Sequence, residues 1–127
     1  MFDDRAPIYL QIAGQIRDDI VAGTLRPGEQ VMSTNQYATF HRINPATAGK
    51  AFQQLVEEGV LVKRRGLGMF VAEGADERLR LARRARFVED VVDPAVVEAR
   101  RLGISVDELV GVVRDRAEAA ERAEAAS

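Results

Sequence analysis

The sequence predicts a mainly α-helical protein with one small β hairpin. Three observations lead to this fold class. Isoleucines recur every four residues near the N-terminus, two helix-start signals follow each other closely at Ser33 and Asn44, and two short β-prone runs flank a glycine-rich tip at residues 65–68. Three helices followed by a hairpin is the element order of a winged helix-turn-helix.

The first helix is predicted from Pro7 to Gly23. Proline suits a first helical position because its missing N–H has no helical partner there, and glycine is typical just after a helix end. The apolar stripe of this helix consists of Ile8, Ile12, Ile16 and Ile20. After a turn at residues 23–28, we expect a short extended stretch at residues 30–32.

The second helix begins with a capping box. Ser33 is followed three residues later by Gln36, so the serine oxygen accepts from an early helical N–H while the glutamine side chain reaches back. This pattern predicts a short helix from Thr34 to about His41.

The third helix follows a break of a few residues. Asn44 is a good N-cap and Pro45 a good first-turn residue, so we expect a helix that continues to about Glu58 and is ended by Gly59. Its buried face is predicted to consist of Ala48, Ala51, Phe52 and Leu55.

The hairpin is predicted from residues 60–64 and 69–71, which surround the tip Arg65-Gly66-Leu67-Gly68. Gly74 closes this unit. We therefore expect a winged helix-turn-helix domain at residues 1–74 and a helical dimerisation region at residues 75–127.

The second region is predicted to hold several helices. One stripe combines Leu81, Val88 and Val92, Pro94 is expected to start a short helix that Gly103 ends, and a last helix begins after Ser105. This region has only 53 residues and cannot cover all of its own apolar side chains, so we expect the remaining apolar surface to be buried in a symmetric dimer. The predicted dimerisation residues are Leu81, Val88, Val92, Val106, Leu109, Val110 and Val113.

Composition excludes several classes of function. The chain has no cysteine and a single histidine, His41, so disulfides, thiolate metal sites and cysteine nucleophiles are excluded, and we expect neither a metal nor a cofactor. The sequence contains neither a serine with a partner histidine nor a phosphate-binding loop, so we do not expect an enzyme. The N-terminus lacks a signal-like apolar run and no stretch is long enough to span a bilayer, so a cytoplasmic protein is expected.

Charge distribution favours double-stranded DNA as a partner. The net charge is only −2, but residues 41–66 hold five basic against two acidic side chains. The predicted third helix presents a positive dipole end together with Asn44 and Thr47, and Lys50 lies one turn further along. The tip of the hairpin adds Arg65.

At these residues the sequence resembles the GntR family of bacterial transcription regulators, and more narrowly its small YtrA-type branch. The resemblance rests on four pieces in order: residues 7–12, 23–28, 43–47, and 58–61 with 64–71. It implies a homodimer that binds a pseudo-palindromic operator, usually as a repressor. It also implies that the C-terminal helices dimerise and that any effector pocket, for a ligand still unidentified, is small or absent.

The helix-turn-helix and wing are the parts that the resemblance implies to touch DNA. The candidate DNA-binding residues are Ser33, Thr34, Asn35, Asn44, Thr47, Lys50, Arg64, Arg65, Gly66 and Gly68.

Three positions depart from the family pattern. Asn35 replaces a common arginine, Gly49 a frequent basic residue and Met32 the usual proline, and these changes remove charge from the expected interface. Asn35 is expected to act as a neutral hydrogen-bonding group toward DNA. Because glycine is costly within a helix, we expect Gly49 to allow a close approach of DNA or another helix. Asn35 and Gly49 also favour an alternative function, a winged-helix module for protein–protein contact with weak or no DNA binding.

Overall fold

The structure, a computed structural model, describes residues 2–127. The chain forms two compact units, one ending at Arg83 and one beginning at Arg84. The first contains α1 (Ile8–Ala22), α2 (Thr34–His41), α3 (Pro45–Glu57), β1 (Leu61–Arg64), β2 (Gly68–Val71) and most of α4 (Ala75–Phe87). The second contains the end of α4, a π-helical turn (Val88–Val92), α5 (Asp93–Arg101) and α6 (Val106–Ala126). The predicted fold class is confirmed.

The core of the first unit lies between α1, α2, α3 and the hairpin. Ile12, Ile20, Phe52, Leu55 and Leu61 are at most 1% exposed. The isoleucine stripe therefore faces inward as predicted from its spacing, except for Ile8, which is 40% exposed at the first turn. The predicted buried face of α3 is confirmed in full.

The wing is a two-stranded antiparallel hairpin in which Leu61 pairs with Val71 and Arg64 with Gly68. The extended stretch expected at residues 30–32 adds a partial third strand, because the Val31 amide donates to the Met69 carbonyl at 2.9 Å and Gln30 bridges to Phe70. These bonds join the segment before α2 to the wing.

The first turn of α4 belongs to the first unit. Ala75 is 1% exposed, and the Arg78 guanidinium donates to the Gly59 carbonyl at 2.7 Å. Arg83 pairs with Asp18 on α1. The compact units thus divide inside α4, whereas the functional boundary after Gly74 stays a prediction.

The short helix expected from Pro94 to Gly103 is present as α5, with Pro94 in its first turn, but no break in the helical backbone precedes it. From Ala75 to Arg101 the chain is continuously helical, and the turn before Pro94 is π-helical, with the Asp93 amide donating to the Val88 carbonyl five residues back. A proline ring in an α-helix clashes with the carbonyl four residues earlier, and a wider turn relieves this clash. The π-helical turn contains one residue more than an α-helical turn, so the side chains that follow it lie on a different face of the helix. The single apolar stripe predicted at Leu81, Val88 and Val92 is therefore interrupted.

The second unit buries little of its own surface. Of the residues from Arg84 onward, Ala99 alone is buried. The turn after Arg101 ends in Gly103, as predicted, and Ser105 caps α6 by accepting from the Glu108 amide at 3.1 Å. No helix within residues 2–127 combines the length and the apolar character needed to cross a bilayer.

Candidate DNA-binding interface

The turn between α2 and α3 sets the direction of the third helix. The Ile43 amide donates to the Ala38 carbonyl at 3.0 Å, and Arg42 closes α2 in the left-handed region with φ of 55°. Within residues 2–127, Arg42 is the single non-glycine residue with positive φ. Such a conformation costs an ordinary side chain about 1–2 kcal/mol. The turn therefore holds an exposed arginine at a position that would favour glycine.

Asn44 caps α3 as predicted. Its Oδ1 accepts from the Ala46 amide at 2.8 Å, which leaves the Nδ2 group without a partner among the described residues. Pro45 has no N–H, and the Thr47 and Ala48 amides donate to the Asn44 carbonyl at 3.0 and 3.2 Å, so the donor that remains here is the Asn44 side chain, at the positive end of the helix dipole. Thr47, one turn into the helix, is half-buried. The N-terminus of α3 can therefore donate hydrogen bonds to a phosphate oxygen or to a base acceptor.

The N-terminus of α2 carries the predicted capping box. The Ser33 hydroxyl accepts from the Gln36 amide at 3.1 Å, and the Gln36 side chain accepts from the Ser33 amide at 3.0 Å. Ser33 still has its O–H to donate. A methyl group added at Gly49 would meet Thr34 at 3.6 Å, an ordinary contact. Packing against α2 therefore does not require glycine at position 49.

Lys50 is exposed on α3, but it is not extended freely into solvent. Its ammonium group lies 4.1 Å from the centre of the Tyr9 ring on α1. A cation over an aromatic face is favourable by about 0.5–1 kcal/mol at an exposed site. The sequence reasoning missed this partner, because Tyr9 and Lys50 are far apart in the chain.

The wing tip contains two arginines in different environments. The Arg64 guanidinium lies 4.9 Å from the centre of the Phe70 ring, whereas Arg65 makes no ion pair or side-chain hydrogen bond with residues 2–127. The tip is closed by a hydrogen bond from the Leu67 amide to the Arg64 carbonyl at 2.9 Å, with Gly66 at φ of 75°. Arg65 is the less constrained of the two cations.

Gly68 has a structural explanation of its own. Its φ is 123°, and an added Cβ would lie 2.6 Å from Nε2 of Gln30. That nitrogen donates to the Leu67 carbonyl at 2.9 Å and so fixes the tip of the wing. Glycine at position 68 is thus required by the wing itself, before any contact with DNA.

Asn35 lies on the exposed side of α2 in an apolar setting. Together with Gln36 and Thr39 it lines a shallow depression whose apolar members are Met32 and Phe40. Phe40 is 69% exposed. The sequence reasoning did not single out Phe40, because it is only three residues from the buried Tyr37 and helical spacing does not predict that its ring is exposed.

The other end of α3 is fixed by an ion pair. Arg17 of α1 donates to both oxygens of Glu58, at 3.0 and 2.7 Å. These hydrogen bonds from Arg17 lower the pKa of the Glu58 carboxyl, with burial opposing them and Gln54 adding to them. The pair joins α1 to the C-terminus of α3 and so helps fix the angle of the candidate recognition helix.

The predicted dimerisation residues divide into two groups. Around an apolar groove of about 500 Å³ in the second unit lie Val92, Val106, Leu109, Val110 and Val113. Leu81 and Val88 do not line this groove and are 70% and 58% exposed. The structure thus brings five of the seven together.

Histidine and acidic residues form no candidate metal centre in the described part of the chain. His41 stacks with Tyr37, with ring centres 4.2 Å apart, and so has a packing role.

Comparison with known proteins identifies a family of similar sequences. The family model described as "Bacterial regulatory proteins, gntR family" matches residues 8–71. The HTH-type transcriptional repressor YtrA of Bacillus subtilis (strain 168) is 28% identical over 103 residues, covering 81% of this chain and 78% of YtrA.

Two solved structures extend the similarity. A GntR family transcriptional regulator from Listeria monocytogenes has a TM-score of 0.69 at 29% identity, covering 90% of this chain and 98% of that one. AraR(DBD) in complex with operator ORX1 has a TM-score of 0.53 at 27% identity, covering 57% of this chain and 93% of that one. Because the family model matches half of the chain, and the wing and helix-turn-helix lie within the match, this protein belongs to the gntR family of bacterial regulatory proteins.

Proposed function

We propose that this chain is a sequence-specific DNA-binding repressor that acts as a homodimer on a pseudo-palindromic operator. The carrying observation is the N-terminus of α3, where the Nδ2 group of Asn44 has no partner among the described residues, lies at the positive end of the helix dipole and is close in the chain to the exposed Arg42. Both side chains can donate hydrogen bonds at the part of a helix-turn-helix that enters the major groove. The relatives named above are regulators and a repressor, which supports a non-enzymatic role.

The wing supplies the second half of the proposed interface. Arg65 projects from a tip fixed by Gln30, so its charge can meet a backbone phosphate beside the groove occupied by α3. Phosphate contacts position the protein, while Asn44 and Asn35 carry groups able to distinguish bases.

A homodimer accounts for the surface of the second unit. The apolar groove between α5 and α6 leaves Val92, Val110 and Val113 36%, 42% and 60% exposed. A region that buries only Ala99 does not have a core of its own. An isologous partner of the same composition would cover this groove and pair two DNA-binding units.

Selection from a random DNA pool with the full chain tests the proposal. We expect an enriched sequence with two inverted half-sites spaced by about one helical turn, 10–10.5 base pairs. Binding to that sequence should weaken as salt rises, with a slope of log affinity against log salt of about −0.9 per phosphate contacted. Failure to enrich any sequence would contradict the proposal.

The alternative function, a protein–protein contact module, is favoured by the depression formed by Met32, Asn35 and Phe40. This apolar surface lies mainly on α2, the helix that also carries the proposed DNA contact of Asn35. Absent or salt-insensitive DNA binding would support the alternative. Specific contacts with DNA phosphates release counterions and make binding depend on salt, whereas a protein–protein contact site need not make them.

A further inference from the structure

A cavity of about 280 Å³ lies in the first unit, outside the proposed DNA-binding surface. Its walls come from α1, α2 and α3, from the turn after α1 and from the extended stretch before α2. Asp19, Tyr37 and His41 contribute polar groups, while Leu25 and Phe52 contribute apolar surface. The volume is close to the lower end of the range for small-molecule pockets, about 300–1,000 Å³.

Tyr37 is the first sign that the cavity is a binding site. The residue is only 8% exposed, and its hydroxyl makes no hydrogen bond with residues 2–127. Within residues 2–127, every side-chain polar atom without a hydrogen-bond partner is still accessible to solvent. The Tyr37 hydroxyl is therefore accessible to solvent as well. Because it has no protein partner, this hydroxyl is free to hydrogen-bond to a molecule that enters the cavity.

Asp19 is the second sign. It is half-buried and makes no ion pair with the described residues, whereas its neighbour Asp18 pairs with Arg83. Burial raises the pKa of the Tyr37 hydroxyl, and the negative charge of Asp19 raises it further. The two groups therefore interact, which agrees with their places in one cavity.

The aromatic wall limits the shape of a ligand. The Tyr37 ring lies 4.2 Å from the His41 ring and 5.5 Å from the Phe52 ring, centre to centre. Aromatic faces attract cations as well as apolar groups. An anionic ligand would be opposed by the unpaired carboxylate.

We propose that this cavity binds a small organic amine, whose ammonium group pairs with the Asp19 carboxylate while its apolar body packs against Leu25 and the aromatic wall. The Tyr37 hydroxyl accepts a hydrogen bond from the same ammonium group. The site lies in the DNA-binding unit, apart from the apolar groove of the second unit.

The position of the cavity gives the amine a regulatory role. Tyr37 and His41 lie on α2, and Met32, which also lines the cavity, directly precedes the N-cap of that helix. A ligand that favours one placement of α2 changes DNA affinity, and DNA changes the affinity for the amine by the same factor. This regulatory step rests on the proposed function, whereas amine binding does not.

Titration of the full chain with benzylamine, without DNA, tests the site. The readouts are calorimetry and the NMR signals of the Tyr37 ring. We expect saturable binding, no binding of benzoate, and weaker binding of benzyl alcohol. Asp19→Asn should weaken benzylamine binding by about tenfold or more, since it removes a charge-assisted hydrogen bond. Asp18→Asn, the matched control, should bind as the natural chain does.

Tyr37→Phe gives a second variant, since it keeps the ring and removes only the hydroxyl. It should also bind benzylamine more weakly, with an unchanged thermal unfolding midpoint showing an intact fold. Absence of saturable benzylamine binding, or equal binding by the Asp19→Asn and Asp18→Asn chains, overturns the site. Benzylamine binding in a chain that binds no DNA would instead overturn the proposed function and leave the site standing.

Discussion

The Lys50 ammonium group lies 4.1 Å from the centre of the Tyr9 ring, so the one lysine of the candidate recognition helix rests on α1 in the DNA-free chain. This contact connects the helix that is proposed to enter DNA with the first helix of the core. A phosphate that attracts Lys50 has to compete with about 0.5–1 kcal/mol of cation–π attraction. The contact therefore predicts that removing this exposed lysine lowers the stability of the unit slightly.

Lys50→Ala and Arg65→Ala are each expected to weaken DNA binding while the fold stays intact. If each residue contacts one phosphate, the slope of log affinity against log salt should become shallower by about 0.9 for each substitution. Operator titrations at several salt concentrations measure this. Lys50→Ala should also lower unfolding stability slightly, through loss of the Tyr9 contact, while Arg65→Ala should not. Unchanged affinity in both variants would rule out this surface.

Asn35→Ala is expected to change site preference more than overall affinity. Asparagine is neutral and can make paired hydrogen bonds to adenine, worth about 1–3 kcal/mol of discrimination. Repeating the selection from random DNA with the variant should show a flattened preference at one base pair per half-site. Equal weakening on all sequences would assign Asn35 to a backbone contact.

Arg42→Gly is expected to stabilise the fold and weaken DNA binding at the same time. Glycine adopts the φ of 55° without the cost of about 1–2 kcal/mol borne by arginine, and the substitution removes a cation next to the N-terminus of α3. Urea unfolding and operator titration measure the two effects. Arg42→Asn is the matched variant, because asparagine tolerates this conformation but carries no charge. Arg42→Gly with full DNA affinity would show that the strained arginine has no role in binding.

Glu58→Gln is expected to reduce the loss of stability in acid. Because Arg17 lowers the pKa of the folded-state carboxyl, the pair stabilises the fold at pH values above the unfolded pKa, about 4.3, and this stabilisation is lost as pH falls through the lower folded value. Urea unfolding between neutral and acid pH should give a flatter profile for the variant. Glu57→Gln, one residue earlier and without an ion pair to the described residues, should keep the natural profile. Identical profiles for the natural and Glu58→Gln chains would contradict the pairing.

Leu109→Asp with Val113→Asp is expected to convert a dimer into monomers. Both residues line the apolar groove of the second unit, where a charge would be buried at the proposed seam. Sedimentation should show the change, and operator affinity should fall, because two linked half-sites bind as one event. Val112→Asp on the same helix is the control, since Val112 is 49% exposed and does not line the groove. A double variant that remains dimeric would place the seam elsewhere.

The sequence by itself determined the helix starts and the wing. Ser33 with Gln36 and Asn44 with Pro45 act on backbone groups two or three residues away, so their effect is readable from local spacing. Most of the isoleucine stripe and the buried face of α3 were predictable for the same reason, because helical periodicity places them on one side. The order of these elements was sufficient for the fold class.

Tertiary structure decided the environment of each candidate site residue. The Lys50 contact with Tyr9, the place of Gln30 under Gly68 and the cavity beside Asp19 all join residues far apart in the chain. The π-helical turn before Pro94 likewise depends on whether the chain continues as one helix, which a proline alone does not reveal. Local spacing fixes where helices begin, but which side chains meet depends on how the helices pack, and that is set by contacts summed over the whole core.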